Sequence, residues 1–289
     1  MQYRGRIIRP PSEADSILLQ ATYGCSHNKC AFCGAYKDKR FGVKTDLELD
    51  NDLAFARMYC RNQRRVFLCD GDALILPQAR LRRLLRAIRE QLPWVTRVAT
   101  YANAKSVERK NDDELVELAG LGLGMAYLGL ESGDDSTLSR MRKGRTRKQI
   151  VAQAQRLRTA GVKLNVTVIM GLGGEDRAEV HAKETGRALS EMDPEQAAAL
   201  SLMLVPGTPL HQEAEAGRFH MPGPAGMLAE LRTMLQNMEL TRGLFLANHA
   251  SNYLPLKLRL PRDKASALAR IDSALRGMEP LTPEWRRRL

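Results

Sequence analysis

Six short apolar runs recur along the chain, each followed by a longer amphipathic stretch. This alternation constrains the fold more than any single motif. The runs cover residues 17–21, 65–69, 97–101, 125–130, 164–170 and 199–204. All are of strand length and rich in apolar or β-branched residues. Between them lie stretches of helical periodicity. In residues 78–92, Leu81, Leu84, Leu85, Ile88 and Leu92 share one side, and Arg82, Arg83, Arg86 and Arg89 lie largely off it. Thr146 with Gln149 reads as a capping box that opens a helix, and Gly161 is a natural stop. Residues 224–240 place Met227, Leu228, Leu231, Met234, Leu235 and Met238 on one face, as core filler. A last helix is expected over 262–276, behind Pro261. Such βα units, with no linker between them, predict an α/β domain with a parallel sheet. Six units predict an incomplete (β/α)6 TIM-like barrel over residues 1–215. A short helical extension over 216–289 is expected to pack on the same domain. In such a fold the chemistry belongs at the C-terminal ends of the strands.

Composition narrows the setting. No apolar run reaches the roughly 18 residues that a membrane-spanning helix needs. The N-terminus, Met-Gln-Tyr-Arg-Gly-Arg, carries no apolar signal segment, so the expected location is cytoplasmic with no membrane partner. Five cysteines in that setting argue against a disulfide framework. The formal net charge is +12, and Arg140, Arg142, Lys143, Arg145, Arg147 and Lys148 form a basic run. A run of this kind either attracts anions or is a solvated face.

Three cysteines stand close together after the first strand: Cys25-Ser-His-Asn-Lys-Cys30-Ala-Phe-Cys33. Thiolates hold iron–sulfur clusters, and a four-iron cluster normally takes four of them. Three alone would leave one iron open to substrate or cofactor. Zinc held by the three cysteines and His27 is the competing assignment. Cys60, at a helix end, and Cys69, in a strand, read as small hydrophobes.

With Phe32 before the last cysteine, the triplet resembles the cysteine motif of the radical S-adenosylmethionine (SAM) superfamily. The first gap here is four residues, where the commonest family spacing has three. Further strand ends carry the same resemblance. Cys69-Asp70-Gly71-Asp72-Ala73 is similar to the family's Gly-Gly-Glu motif, with Asp72 in place of the glutamate. Gly129-Leu130-Glu131-Ser132-Gly133, continuing to Met141-Arg142-Lys143-Gly144, resembles the elongator-like and coproporphyrinogen-oxidase-like branches. The strand 166–170 with its Gly171-Leu172-Gly173-Gly174 turn, and the ending Leu204-Val205-Pro206-Gly207, are also similar to family segments.

The resemblance implies a [4Fe-4S] cluster on Cys25, Cys30 and Cys33, with SAM on the open iron. Reductive cleavage of SAM would form a 5′-deoxyadenosyl radical, which abstracts hydrogen from a substrate. Asp72, beside Gly71, would fix the amino end of SAM, and Lys143 would pair with its carboxylate. Glu131 and Thr167 would hold ribose hydroxyls, with Phe32 near adenine. Ser132, Met170 and Leu204 complete the expected SAM contacts. Tyr101, Asn103, His249, Asn252 and Tyr253 are the candidates to meet the substrate. The expected partners are a small-molecule substrate and an electron donor such as flavodoxin or ferredoxin. One alternative, motivated by the charge, is a radical SAM enzyme that modifies RNA. Another is a non-enzymatic zinc or iron–sulfur protein that binds nucleic acid.

Overall fold

The computed structural model describes residues 1–288. Its strands form one eight-stranded, mostly parallel sheet and a separate two-stranded ribbon. The chain divides into two compact units. The first joins Met1–Asn28, Ala35–Leu128 and Gln153–Leu164, and the second joins Lys29–Gly34, Gly129–Ala152 and the chain from Asn165 onward.

The first unit runs β1 (Ile17–Leu19), β2 (Thr22–Tyr23), β3 (Gly42–Val43), α1 (Asp46–Tyr59), β4 (Arg65–Leu68), α2 (Gln78–Gln91), β5 (Arg97–Ala102), α3 (Ala104–Glu108), α4 (Asp112–Gly120) and most of β6 (Leu123–Glu131). Strands β1, β4, β5 and β6 pair in parallel in that order, with Leu19 beside Leu68, Phe67 beside Ala99 and Tyr101 beside Tyr127. The short strands β2 and β3 pair antiparallel. Helix α1 begins in a full capping box, Thr45 with Glu48. Helix α2 buries Leu81, Leu84, Leu85 and Ile88, the stripe read from the sequence.

The second unit holds the end of β6, α5 (Asp135–Arg140), the start of α6 (Arg147–Thr159), most of β7 (Lys163–Met170), α7 (Ala178–Met192), β8 (Gln196–Ser201), α8 (Pro209–Glu215), α9 (Pro224–Gln236), β9 (Gly243–Ala247), β10 (Leu256–Leu260) and α10 (Lys264–Leu275). The expected capping box is present at α6. The Thr146 N–H donates to Gln149 Oε1 at 3.0 Å, and the Gln149 N–H donates to Thr146 Oγ1 at 3.3 Å. Strands β7, β8 and β9 pair in parallel, and β9 and β10 form an antiparallel hairpin. Helix α9 packs against α7 and α10, and its Met227, Leu231, Met234 and Leu235 are buried.

The α/β class and the parallel strands are as expected. Two further strands, β9 and β10, join the sheet from the segment expected to be helical. In β10 the alternation is plain: Leu256, Leu258 and Leu260 are buried while Lys257 and Arg259 are exposed. Strand β8 starts and ends three residues earlier than its apolar run, because polar Gln196 enters the strand and bonds Asn165 across to β7 at 2.9 Å. Among the described residues, no helix is long and apolar enough to cross a membrane.

Candidate active site

In the first unit, the loop after β1 carries Cys25 and Asn28. Asn28 adopts a left-handed backbone, φ 39°, a conformation asparagine tolerates. Its N–H donates to Cys25 Sγ at 3.4 Å and its side-chain amide donates to the Tyr36 carbonyl at 2.7 Å. The unusual four-residue gap between Cys25 and Cys30 is thus taken up by a braced left-handed turn. Gly71 packs directly on this loop. A Cβ there would lie 2.7 Å from Cys25 Cα and 2.7 Å from the Gly24 carbonyl oxygen, so only glycine fits. The Gly71 N–H donates to that same carbonyl at 3.0 Å.

Asp72 follows and is fully buried. Its Oδ2 accepts from Ser26 Oγ at 2.7 Å, from Asn103 Nδ2 at 2.5 Å and from Ser106 Oγ. Asn103 also caps α3, accepting from the Ser106 N–H at 3.0 Å. Asp72 Oδ1 is buried and accepts no hydrogen bond. Burial raises the carboxyl to about 6, against the lowering pull of Ser106, Ser26, Asn103 and the Ile75 N–H, which acts on the carboxylate without the geometry of a full hydrogen bond to Oδ1. A buried, orphaned carboxylate oxygen is costly unless a donor is delivered to it. Asp72 therefore suits a cationic donor such as an ammonium group.

In the second unit, the middle of the cysteine loop is held by backbone bonds. The Ala31 N–H donates to the Met141 carbonyl and the Leu210 N–H donates to the Ala31 carbonyl, both at 2.9 Å. Gly34 lies against Val205, where a Cβ would approach Val205 Cγ1 to 2.6 Å. At the end of β6, Glu131 sits in left-handed backbone, φ 66°, and pairs with Lys143 at 2.8 Å. Gly129 makes room for this pair, since a Cβ there would meet Glu131 Oε1 at 2.1 Å.

Ser132, the next residue, is fully buried and hydrogen-bonds His181 Nδ1 at 2.7 Å. His181 Nε2 faces the Ile169 carbonyl at 3.1 Å, so it carries the proton and Nδ1 accepts from Ser132. Burial lowers this imidazole to about 4, so it is neutral. Glu230, on α9, accepts the Gly171 N–H at 2.6 Å and lies 3.7 Å from His181 Nε2. Burial raises its carboxyl to about 8. This network ties the ends of β6 and β7 to α7 and α9.

The remaining sequence candidates are more scattered. Tyr101 packs edge-on against Phe67 at 5.1 Å, in an aromatic cluster with Tyr127. Phe32, Thr167 and Leu204 are half-buried, and Met170 is buried. His249 Nδ1 bonds Ser251 Oγ at 2.9 Å. Asn252 accepts from Ser201 Oγ at 2.9 Å and donates to the Ala199 carbonyl at 2.8 Å. The Tyr253 hydroxyl donates to Glu284 at 2.7 Å, and the Arg287 guanidinium lies over its ring. Cys69 is buried, its thiol pushed up to about 12 by that burial. No group of three or more His, Cys, Asp or Glu among the described residues is set for a single metal ion.

The sequence gives no role to Ser26, Ser106, His181 or Glu230. Glu230 alone carries a signal there, a lone charge on the same helical face as Met227 and Met234. The others are ordinary loop and helix residues until the fold brings them together.

Residues 19–183, more than half of the chain, match the model of the Radical SAM superfamily. No curated protein matches. Among solved structures, methylornithine synthase (PylB) superposes with a TM-score of 0.54 at 16% identity, over 77% of this chain and 63% of that one. The radical SAM methyltransferase TsrM from Kitasatospora setae, solved with cobalamin and a [4Fe-4S] cluster, gives 0.57 at 20% identity, over 71% and 41%. Coproporphyrinogen III oxidase (HemN) from Escherichia coli gives 0.55 at 16% identity, over 76% and 51%. The chain thus spans less than two thirds of each of these proteins. The likenesses are of fold, and the family match adds the membership: the chain belongs to the radical SAM superfamily of enzymes.

Proposed function

We propose that Cys25, Cys30 and Cys33 hold a [4Fe-4S] cluster and that the chain binds SAM beside it to remove a hydrogen atom from a small-molecule substrate. The observation that carries this reading is Asp72, whose orphaned buried Oδ1 adjoins the glycine packed on Cys25. The donor set fits the group: thiolates for iron, a carboxylate for the ammonium of SAM, and Lys143 for its carboxylate. Bound together, cluster and SAM supply the one-electron chemistry. The residues of the chain do the positioning. Ser26, Asn103 and Ser106 fix the Asp72 carboxylate and leave Oδ1 for the ligand. Glu131, held by Lys143, offers its second oxygen to ribose hydroxyls, with Thr167 and Phe32 on the nucleoside side. The Ser132–His181 bond sets the strand end from which Glu131 projects. A flavodoxin or ferredoxin would deliver the electron.

RNA is the weaker substrate alternative. Within the basic run, Arg140 faces Asp176, Lys143 faces Glu131, and Arg147 faces both Glu184 and Glu191. At least half of the run is therefore matched by acid within the chain. Anaerobic reconstitution with iron and sulfide, followed by calorimetric titration with SAM, tests the assignment. About four irons per chain and SAM binding that Asp72→Asn abolishes are expected. Zinc uptake alone, or SAM binding unchanged by Asp72→Asn, would contradict it.

A further inference from the structure

Asp70 precedes the Gly71-Asp72 pair, is fully buried, and gathers donors from four separate places. Its Oδ1 accepts the Ile8 N–H at 3.2 Å. Its Oδ2 accepts from Gln20 Nε2 at 2.9 Å, from the Gly24 N–H at 3.3 Å and from Lys39 Nζ at 3.0 Å. Gly24 immediately precedes Cys25, and Lys39 lies six residues after Cys33. All three clustered cysteines therefore fall between two points fastened to one carboxylate. Lys39 is also fastened on its other side, donating to the Arg6 carbonyl at 2.5 Å. Gln20 does the same toward the N-terminal segment, accepting the Arg4 N–H at 2.7 Å. The Asp70 backbone is left-handed, φ 65°, a conformation kept in a non-glycine residue when its surroundings over-determine it.

We propose that Asp70 is a positioning residue for the cluster loop. Its carboxylate clamps both ends of the loop and thereby governs how firmly the cysteines hold iron. The inference rests on the cluster assignment proposed above. The charge is the essential part. A carboxamide offers one acceptor oxygen, where four donors now converge on two, and it cannot neutralise the half-buried Lys39 ammonium. Asparagine tolerates the left-handed backbone as well as aspartate does, so Asp70→Asn changes the charge with little change of backbone. Groups that hold metal ligands in place commonly change metal affinity by an order of magnitude or more when removed.

The test compares wild type, Asp70→Asn and Lys39→Met as full-length chains, reconstituted anaerobically with iron and sulfide. Iron loss to a chelator is then followed, with far-ultraviolet circular dichroism of the apo chains as the control for folding. Both variants are expected to lose iron about tenfold faster than wild type while their apo chains remain folded. Iron retained at the wild-type rate by folded variants would overturn the proposal. Should Asp70→Asn fail to fold, Lys39→Met decides by the same criterion. A wild type that takes up no iron would remove the cluster assignment itself and this proposal with it. A wild type that loads normally, beside variants that hold iron equally well, would remove only the role of Asp70.

Discussion

Glu131 and Lys143 are twelve residues apart in sequence and 2.8 Å apart in space. The ion pair is built by two left-handed residues. Glu131 itself turns the chain out of β6 at φ 66°, and Arg142, at φ 54°, turns it back after α5. The Lys143 N–H then closes the helix end on the Leu138 carbonyl at 3.0 Å. Both side chains keep a narrow opening to solvent, 13% for Glu131 and 15% for Lys143. A ligand arriving there meets a carboxylate and an ammonium already held in register.

Lys143→Met should therefore weaken SAM binding more than it weakens the fold. Truncating one partner of a largely buried charge pair costs about 2 kcal/mol at the low end, or roughly 30-fold in Kd. Anaerobic calorimetric titration of the reconstituted protein measures it. An unchanged Kd would place SAM away from this pair.

Gly71→Ala should act on iron uptake. Its Cβ would press on Cys25 Cα and the Gly24 carbonyl, both backbone atoms that cannot rotate away. Displacement of Cys25 predicts a reconstituted chain with well under half of the wild-type iron. Full iron content in this variant would show that the loop yields without losing its ligand.

The buried acid on α9 predicts a pH dependence of stability. Burial raises Glu230 from its ordinary value of 4.5 to about 8. The folded chain thus binds this proton more tightly than the unfolded chain. The associated stability is full below about pH 4.5 and is lost as pH rises toward 8. Glu230→Gln keeps an acceptor for the Gly171 N–H and cannot ionise. It should flatten the fall of Tm between those limits. His181 contributes the opposite slope, because burial lowers it to about 4. Its share of stability is present above its unfolded value near 6.5 and is lost as pH falls toward 4. An identical Tm profile in wild type and Glu230→Gln would contradict the account of this network.

Asn252→Ala should destabilise the chain by about 1–3 kcal/mol, the cost of stranding buried hydrogen-bond partners. The Ser201 hydroxyl and the Ala199 carbonyl both lose their bond to it. Urea unfolding measures the difference. A loss below about 0.5 kcal/mol would mean that water replaces the amide.

Much of this molecule is legible as sequence, and the limits have physical causes. The six strands found in the sequence carry short, mainly apolar runs, and residues 66–68, 98–100 and 164–166 are buried as continuous stretches, as in a parallel sheet. Strand β10, at the sheet edge, alternates leucine with Lys257 and Arg259 and so resembles a polar connection, while β9 is an apolar run of only five residues. The resemblance to radical SAM motifs pointed to Asp72, Glu131 and Lys143, since those motifs are local in sequence. The partners of those residues are not local. Ser106 is 34 residues from Asp72, His181 is 49 from Ser132, and Glu230 is 59 from Gly171. Only the fold brings such pairs together. Asn28 falls between these cases: its turn explains the long first gap of the cysteine motif, yet asparagine in a polar loop signals nothing by itself.

The chemistry proposed for this chain depends on three cysteines holding a cluster with one iron left for SAM. Formation of 5′-deoxyadenosine from SAM and dithionite, by anaerobically reconstituted wild type and Cys30→Ala side by side, tests it most directly. Wild type is expected to yield the product and the variant none. Equal product from both would remove the cysteine loop from the chemistry, and intact SAM with a fully loaded wild type would contradict the assignment of SAM to this site.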